Sequence, residues 1–219
     1  MVTNYLEQFQ LDVLPEQAID FLRLEHFSPG DVICAQGDEA GHLRFHVKGK
    51  IRVSHTSVSG KRLVLSFKYP LDLIGDIEYV RRTPYLNTVE AVTDVEMLVI
   101  RFDDLARHAT DAVPWLHYLL EEITRKFELK SQSLSFNLFY PVEVRLASYV
   151  LSMTPDDPSL GSTVDDLNDI ADLIGTSYRH VNRTLRRFVE KGYIERDRRR
   201  ITIVDREGLL EVVGESIYE

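Results

Sequence analysis

With 219 residues, 44 % of them apolar and 28 % charged, the chain has the length of one or two domains and the composition of an ordinary globular protein with a real core. No stretch reaches the roughly 18 apolar residues of a spanning helix, and no basic segment leads into an apolar run at the start, so a cytoplasmic protein without a membrane partner is expected. The net charge of −9 argues against indiscriminate nucleic-acid binding, and a single cysteine, Cys34, excludes an internal disulfide and a four-thiolate cluster.

From Met1 to Glu25, Leu11, Val13, Leu14, Ile19, Phe21, Leu22 and Leu24 are interspersed with acids, which predicts short helices ahead of a β domain. The texture changes at Phe27 to short β-rich runs separated by turn residues such as Pro29-Gly-Asp31, Lys48-Gly49 and Ser59-Gly60. The runs Leu43 to Val47, Ile51 to Thr56, Leu63 to Phe67 and Glu96 to Ile100 are the clearest, and their spacing predicts an antiparallel barrel or sandwich. Cys34 falls among them and reads as a small buried apolar residue. His42 and His46 share a strand parity and His55 lies on a neighbouring run, but no carboxylate joins them at metal spacing, so no metal site is assigned. A nucleophile elbow, a P-loop and a Ser-His-Asp order are all missing, and no enzymatic activity or cofactor is expected.

Pro114 to Leu138 is predicted as one long helix of about 35 Å, with Leu116, Leu120, Ile123, Phe127 and Leu134 forming an apolar seam. Such a seam is either buried within the chain or paired with its twin in a homodimer; its length favours the twin. Phe139-Tyr-Pro141 breaks this helix, and Pro141 opens the next through Val144, Leu146, Val150 and Leu151.

Thr163-Val-Asp-Asp166 fits a capping box, which predicts a helix start at Thr163. Leu167, Ile170, Ala171 and Ile174 make its apolar stripe, Gly175 supplies a tight turn, and Thr176 and Ser177 can cap a second helix. In that helix Val181, Leu185, Phe188 and Val189 are expected to be buried, with Arg179, Arg183 and Arg186 on the opposite side. Tyr193 to Arg196 and Arg200 to Val204 then flank Asp197-Arg198-Arg199 as a hairpin. From Tyr178 to Arg206, ten Lys or Arg stand against four acids, a patch of about +6 in a chain of −9. Two short helices with a basic outer face on the second, followed by a basic hairpin, predict a winged helix-turn-helix that puts its second helix into the major groove.

The run Asp169-Ile-Ala-Asp-Leu-Ile-Gly-Thr-Ser-Tyr-Arg-His-Val-Asn-Arg-Thr-Leu185, followed by Phe188-Val-Glu-Lys-Gly-Tyr-Ile194, resembles the DNA-binding domain of the Crp/Fnr family of bacterial transcription regulators. Its Ser-Tyr-Arg-His string is most similar to the YeiL branch. The resemblance extends to the family's cyclic-nucleotide-binding-like β-roll through Pro29-Gly-Asp-Val-Ile-Cys-Ala-Gln-Gly37, Val47-Lys-Gly-Lys-Ile51 and Asp72-Leu-Ile-Gly-Asp76. It implies an α+β protein with a jelly-roll sensor domain over 1–109, a dimerisation helix and hinge over 110–140, and a winged helix-turn-helix over 141–219. The DNA-facing residues would be Thr176, Ser177, Tyr178, Arg179, Asn182, Arg183 and Arg186, with Arg198 and Arg199 on the wing. Arg183 matches the family's reading arginine, whereas Tyr178 and Arg179 replace its Arg and Glu pair.

In nucleotide-binding relatives a Gly-Glu pair opens a short helix and an Arg with a small neighbour grips the phosphate. Gly75 and Asp76 stand for the first pair, but counting back from Val89-Glu-Ala91 places Tyr85 and Leu86 where the Arg and its neighbour belong. The pocket is therefore read as degenerate and unresponsive to cyclic AMP, with no effector specified. The expected partners are double-stranded DNA as an inverted repeat, a second copy of the chain and, by resemblance alone, RNA polymerase. The alternative is a ligand-binding or protein-interaction module whose winged helix contacts protein instead of DNA.

Overall fold

In a computed structural model the described residues are 2–9, 11, 13–109, 111–153, 162–163, 166–197 and 200–214. The chain divides into two compact units, Met1–Glu128 and Leu129–Glu219, and the boundary falls inside the long helix.

In the first unit, helices α1 (Val2–Gln8) and α2 (Glu16–Ile19) precede eight strands. These are β1 (Arg23–Phe27), β2 (Val32–Cys34), β3 (His42–Lys48), β4 (Ile51–Thr56), β5 (Arg62–Lys68), β6 (Asp72–Ile74), β7 (Thr88–Ala91) and β8 (Val95–Arg101). They form two four-stranded antiparallel sheets, ordered β1-β8-β3-β6 and β2-β7-β4-β5, which is the predicted roll. Helix α3 (Asp76–Arg81) joins β6 to β7, and α4 (Phe102–His108) and α5 (Val113–Phe139) follow β8.

Strand β8 shows why the prediction succeeds. Its alternate residues Val95, Met97 and Val99 pack with Ile33, Cys34, Ile51 and Val89 between the sheets. Leu98 and Ile100 face the other way, into a cluster with Leu11 and Leu14 from between α1 and α2 and Phe102, Leu105, Trp115 and Leu119 from α4 and α5. A strand covered on both faces reads as a continuous apolar run, and each such side chain contributes about 1.5–3 kcal/mol by leaving water.

The second unit holds α6 (Val142–Met153), β9 (Ser162–Thr163), α7 (Leu167–Leu173), α8 (Tyr178–Glu190), β10 (Ile194–Asp197), β11 (Arg200–Ile203) and α9 (Arg206–Val213). Leu146, Ile170, Val181, Leu185, Phe188, Ile194, Ile201 and Leu209 share its core. The three strands form an antiparallel sheet ordered β10-β11-β9.

Two local expectations are corrected here. Thr163 does not cap a helix: it pairs with Arg200 in the sheet, and Asp166 caps α7 instead, its carboxylate accepting from the Asn168 amide at 2.8 Å. The carboxylate is the stronger acceptor, and pairing the backbone of Thr163 in the sheet removes it from helix geometry. Val189 is 43 % exposed, whereas Thr184 is fully buried. The inward stripe of α8 is 181, 184, 185 and 188, the i, i+3, i+4, i+7 pattern, and Val189 lies one step beyond it.

Candidate nucleic-acid interface

The turn between α7 and α8 is built by backbone geometry and one buried cation. Gly175 adopts φ 66°, a left-handed conformation that a side chain disfavours. Arg145 of α6, which sequence reasoning passed over, is buried and donates to the carbonyls of Ile174 and Gly175. It thereby satisfies acceptors at the end of α7 that the helix itself leaves open. Ser177 caps α8, its hydroxyl accepting from the His180 amide at 3.3 Å, and Thr176 lies 3.4 Å from the His180 ring.

On α8, Tyr178, Arg179, Arg183 and Arg186 are exposed. At about 100° per residue the three arginines fall within an arc of roughly 60°, opposite Val181 and Phe188. None of the three has an ion pair or hydrogen bond within the described residues. Arg187 differs: it pairs with Glu143 of α6 at 3.2 Å, alongside Lys191 at 3.7 Å, and so braces α8 from within the unit. Asn182 borders the arginine row and accepts a hydrogen bond from Arg196 of β10 at 2.8 Å. The predicted hairpin is present, with Asp197 opposite Arg200; Arg198 and Arg199 lie outside the described residues.

In the β-roll, Gly75 takes φ 91° at the start of α3, and a Cβ there would come within 2.6 Å of the His42 carbonyl oxygen. Asp76 is buried, and Lys126 of α5 holds its carboxylate at 2.8 Å. Asp72 completes the cluster at 3.0 Å from Lys126 and 2.7 Å from Lys68. Burial alone would raise the Asp72 pKa, but the two lysines outweigh it and hold the group below its ordinary value.

Tyr85 is buried; Arg44 of β3 donates to its hydroxyl at 2.7 Å, and the hydroxyl donates onward to the His42 carbonyl at 3.3 Å. Leu86 is 42 % exposed, and its amide donates to Glu78 Oε1 at 2.9 Å. Arg44 and Glu78 escaped the sequence reading because their partners, Tyr85 and the Leu86 amide, are distant or on the backbone. Cys34 is buried as expected, and burial pushes its thiol up to about 11.

His42 and His46 share β3, but His55 belongs to the other sheet, facing the Leu86 carbonyl and Asn87. Among the described residues no group of three His, Cys, Asp or Glu is placed to hold a metal ion. No helix among them is long and apolar enough to cross a membrane.

Helix α5 has two apolar sides. Trp115 and Leu119 are buried against the roll, and half-buried Ile123 packs beside them. Leu116, Leu120, Phe127 and Leu134 are exposed, Phe127 to 76 %. The expected seam therefore survives as an open face at those four positions, while Ile123 belongs partly to the core of its own chain.

Two family models match: the Cyclic nucleotide-binding domain over residues 24–110 and the Crp-like helix-turn-helix domain over residues 144–212. Among similar proteins, the CRP-like cAMP-activated global transcriptional regulator of Mycobacterium tuberculosis is 25 % identical over 199 residues, covering 88 % of this chain and 86 % of its own. The regulatory protein YeiL of Escherichia coli O157:H7 is 24 % identical over 187 residues, covering 85 % and 84 %. These near-equal identities to two branches do not assign the chain to either. The fold is that of TTHB099, a transcriptional regulator of the CRP family from Thermus thermophilus, with TM-score 0.75, 22 % identity and coverage of 88 % and 98 %. FixK2 from Bradyrhizobium japonicum shares it with TM-score 0.72, 18 % identity and coverage of 87 % and 96 %. A nucleotide-binding-type roll, a long helix and a Crp-like helix-turn-helix, in that order and in two matching models, place this chain in the Crp/Fnr family of transcription regulators.

Proposed function

We propose that the protein is a homodimeric, cytoplasmic transcription regulator that reads a specific inverted repeat and does not respond to cyclic AMP or cyclic GMP. The observation that carries the DNA reading is the exposed row Arg179, Arg183 and Arg186 on α8, three guanidinium groups without partners among the described residues. Guanidinium groups are suited to the paired acceptors of guanine and to phosphate oxygens, and the α8 N-terminus adds its own positive field. The overall charge of −9 leaves affinity to this patch and penalises contact elsewhere. Arg198 and Arg199, which follow Asp197 in the sequence, are assigned to phosphates.

Dimerisation is supported by the exposed Leu116, Leu120, Phe127 and Leu134 on one long helix, a face that a second copy would cover. Indifference to cyclic nucleotides is supported by Tyr85 and Asp76. The first stands at the phosphate-gripping position with its hydroxyl engaged on both sides, and the second is committed to Lys126. Contact with RNA polymerase rests on family membership alone.

The test of the DNA reading is Arg183→Ala, measured on a selected operator and on a scrambled duplex. Loss of a guanine contact should cost about 1–3 kcal/mol on the operator and little on the scrambled DNA. Equal losses on both would reassign Arg183 to phosphate, and no effect on either would support a protein-contacting helix instead.

A further inference from the structure

Asn182 sits on the side of the arginine row that faces the wing, directly before Arg183 in the chain. Its Oδ1 lies 2.8 Å from Nη1 of Arg196 on β10. A guanidinium has five donors and no acceptor, so the side-chain amide has to turn its oxygen toward Arg196. The two hydrogens of Nδ2 then point away from Arg196, and the oxygen keeps its second lone pair beside the cation.

This matters for what the residue can read. An unrestrained asparagine recognises adenine through both ends of its amide, accepting from N6 and donating to N7. With one of its two lone pairs bound to Arg196, the oxygen can be reached by an adenine N6 donor only beside a guanidinium, whose positive field opposes it. Guanine presents O6 and N7, two acceptors on the same edge, which suit an outward amide NH2.

We propose that Arg196 is a positioning residue that biases Asn182 toward donating, selecting guanine over adenine at one base position of each half-site. The inference rests on the DNA-binding reading given above and names a specificity device within it. Neither residue type advertises this in the sequence, because the pair is made across the turn between α8 and the wing, and Arg196 otherwise counts as one more charge in the basic patch. Phe188, Ile194 and Ile201, all buried, set the distance between the two elements, so the pairing is held by the core beneath it.

The experiment is selection of operators from a randomised duplex library by the full-length protein, followed by sequencing, for the wild type, Arg196→Met, Arg196→Lys and Asn182→Ala. Wild type should show a guanine preference at one position per half-site. Arg196→Met should move that single position toward adenine by about fivefold or more, the scale of one base contact, and leave the other positions unchanged. Arg196→Lys keeps a donor-only cation and should retain the guanine preference; Asn182→Ala should erase the preference at the same position. In the double variant, Arg196→Met should then have no further effect, because the two substitutions act through one contact. An unchanged pattern in Arg196→Met, or a uniform loss for all sequences, would overturn the proposal while leaving the DNA-binding reading intact. If the wild-type protein selects no sequence at all, that reading itself falls and takes this inference with it.

Discussion

The proposed indifference to cyclic nucleotides turns on Tyr85 of the β-roll. A nucleotide phosphate buried in such a fold needs a guanidinium to offset its desolvation, and the proposed reading assigns that place to the Tyr85 phenol. The roll does contain a buried arginine, Arg44, but its Nη1 donates to that phenol, whose own proton goes to the His42 carbonyl. A ligand phosphate would have to break both bonds to reach Arg44, and Asp76, the candidate for the ribose hydroxyl, would have to leave Lys126. Calorimetry is therefore expected to show no binding of cyclic AMP or cyclic GMP tighter than about millimolar, equivalent to roughly 4 kcal/mol. Heat at micromolar nucleotide would mean that the loop rearranges.

The Lys126 cluster and the open face of α5 act at the scale of elements. Lys126 ties helix α5 to the β6–α3 corner through Asp72 and Asp76. Because the folded pKa of Asp72 is depressed, its stabilisation is complete above the unfolded value, near about 4, and disappears as pH falls through the lower folded value. Urea unfolding of Asp72→Asn and wild type should thus differ most near neutral pH and converge as the solution is acidified below about pH 4. A difference that stays constant with pH would show that packing, not charge, is what the substitution removes. On the open face of the helix, Phe127→Glu places a charge where the second copy is assigned. Sedimentation should find wild type as a dimer at micromolar concentration and the variant as a monomer, with the roll still folded because Trp115 and Leu119 are untouched.

How much can be read in advance also differs by element. Strands β3, β4, β5 and β8 are legible because burial on one or both faces leaves a pattern within a few residues, and the break at Pro141 is legible because proline lacks the amide that a helix needs. The helix start at Thr163 misleads because its capping-box spacing competes with a pairing to Arg200, which lies far along the chain. Val189 is misplaced for a different reason: the inward stripe includes Thr184 instead, and a buried hydroxyl cannot be told from a solvated one in a sequence. Within the site, the arginine row follows from periodicity alone. The residues that hold the row in place, Arg145 at the turn, Glu143 beside Arg187 and Arg196 on Asn182, are joined by long-range contacts that no spacing encodes.

For the whole molecule, the family, the exposed face of α5 and the arginine face of α8 lead to one account: a two-fold assembly carrying two reading helices. Two-fold symmetry requires an inverted repeat with half-sites about one helical turn, near 34 Å, apart. The most direct measurement is the affinity of the wild-type protein for its selected inverted repeat and for a scrambled duplex of equal length, across a salt series. The account predicts at least about a thousandfold preference for the repeat, two protomers on each bound duplex, and affinity for both DNAs falling as salt rises. Equal affinity for the two duplexes at every salt concentration would contradict it.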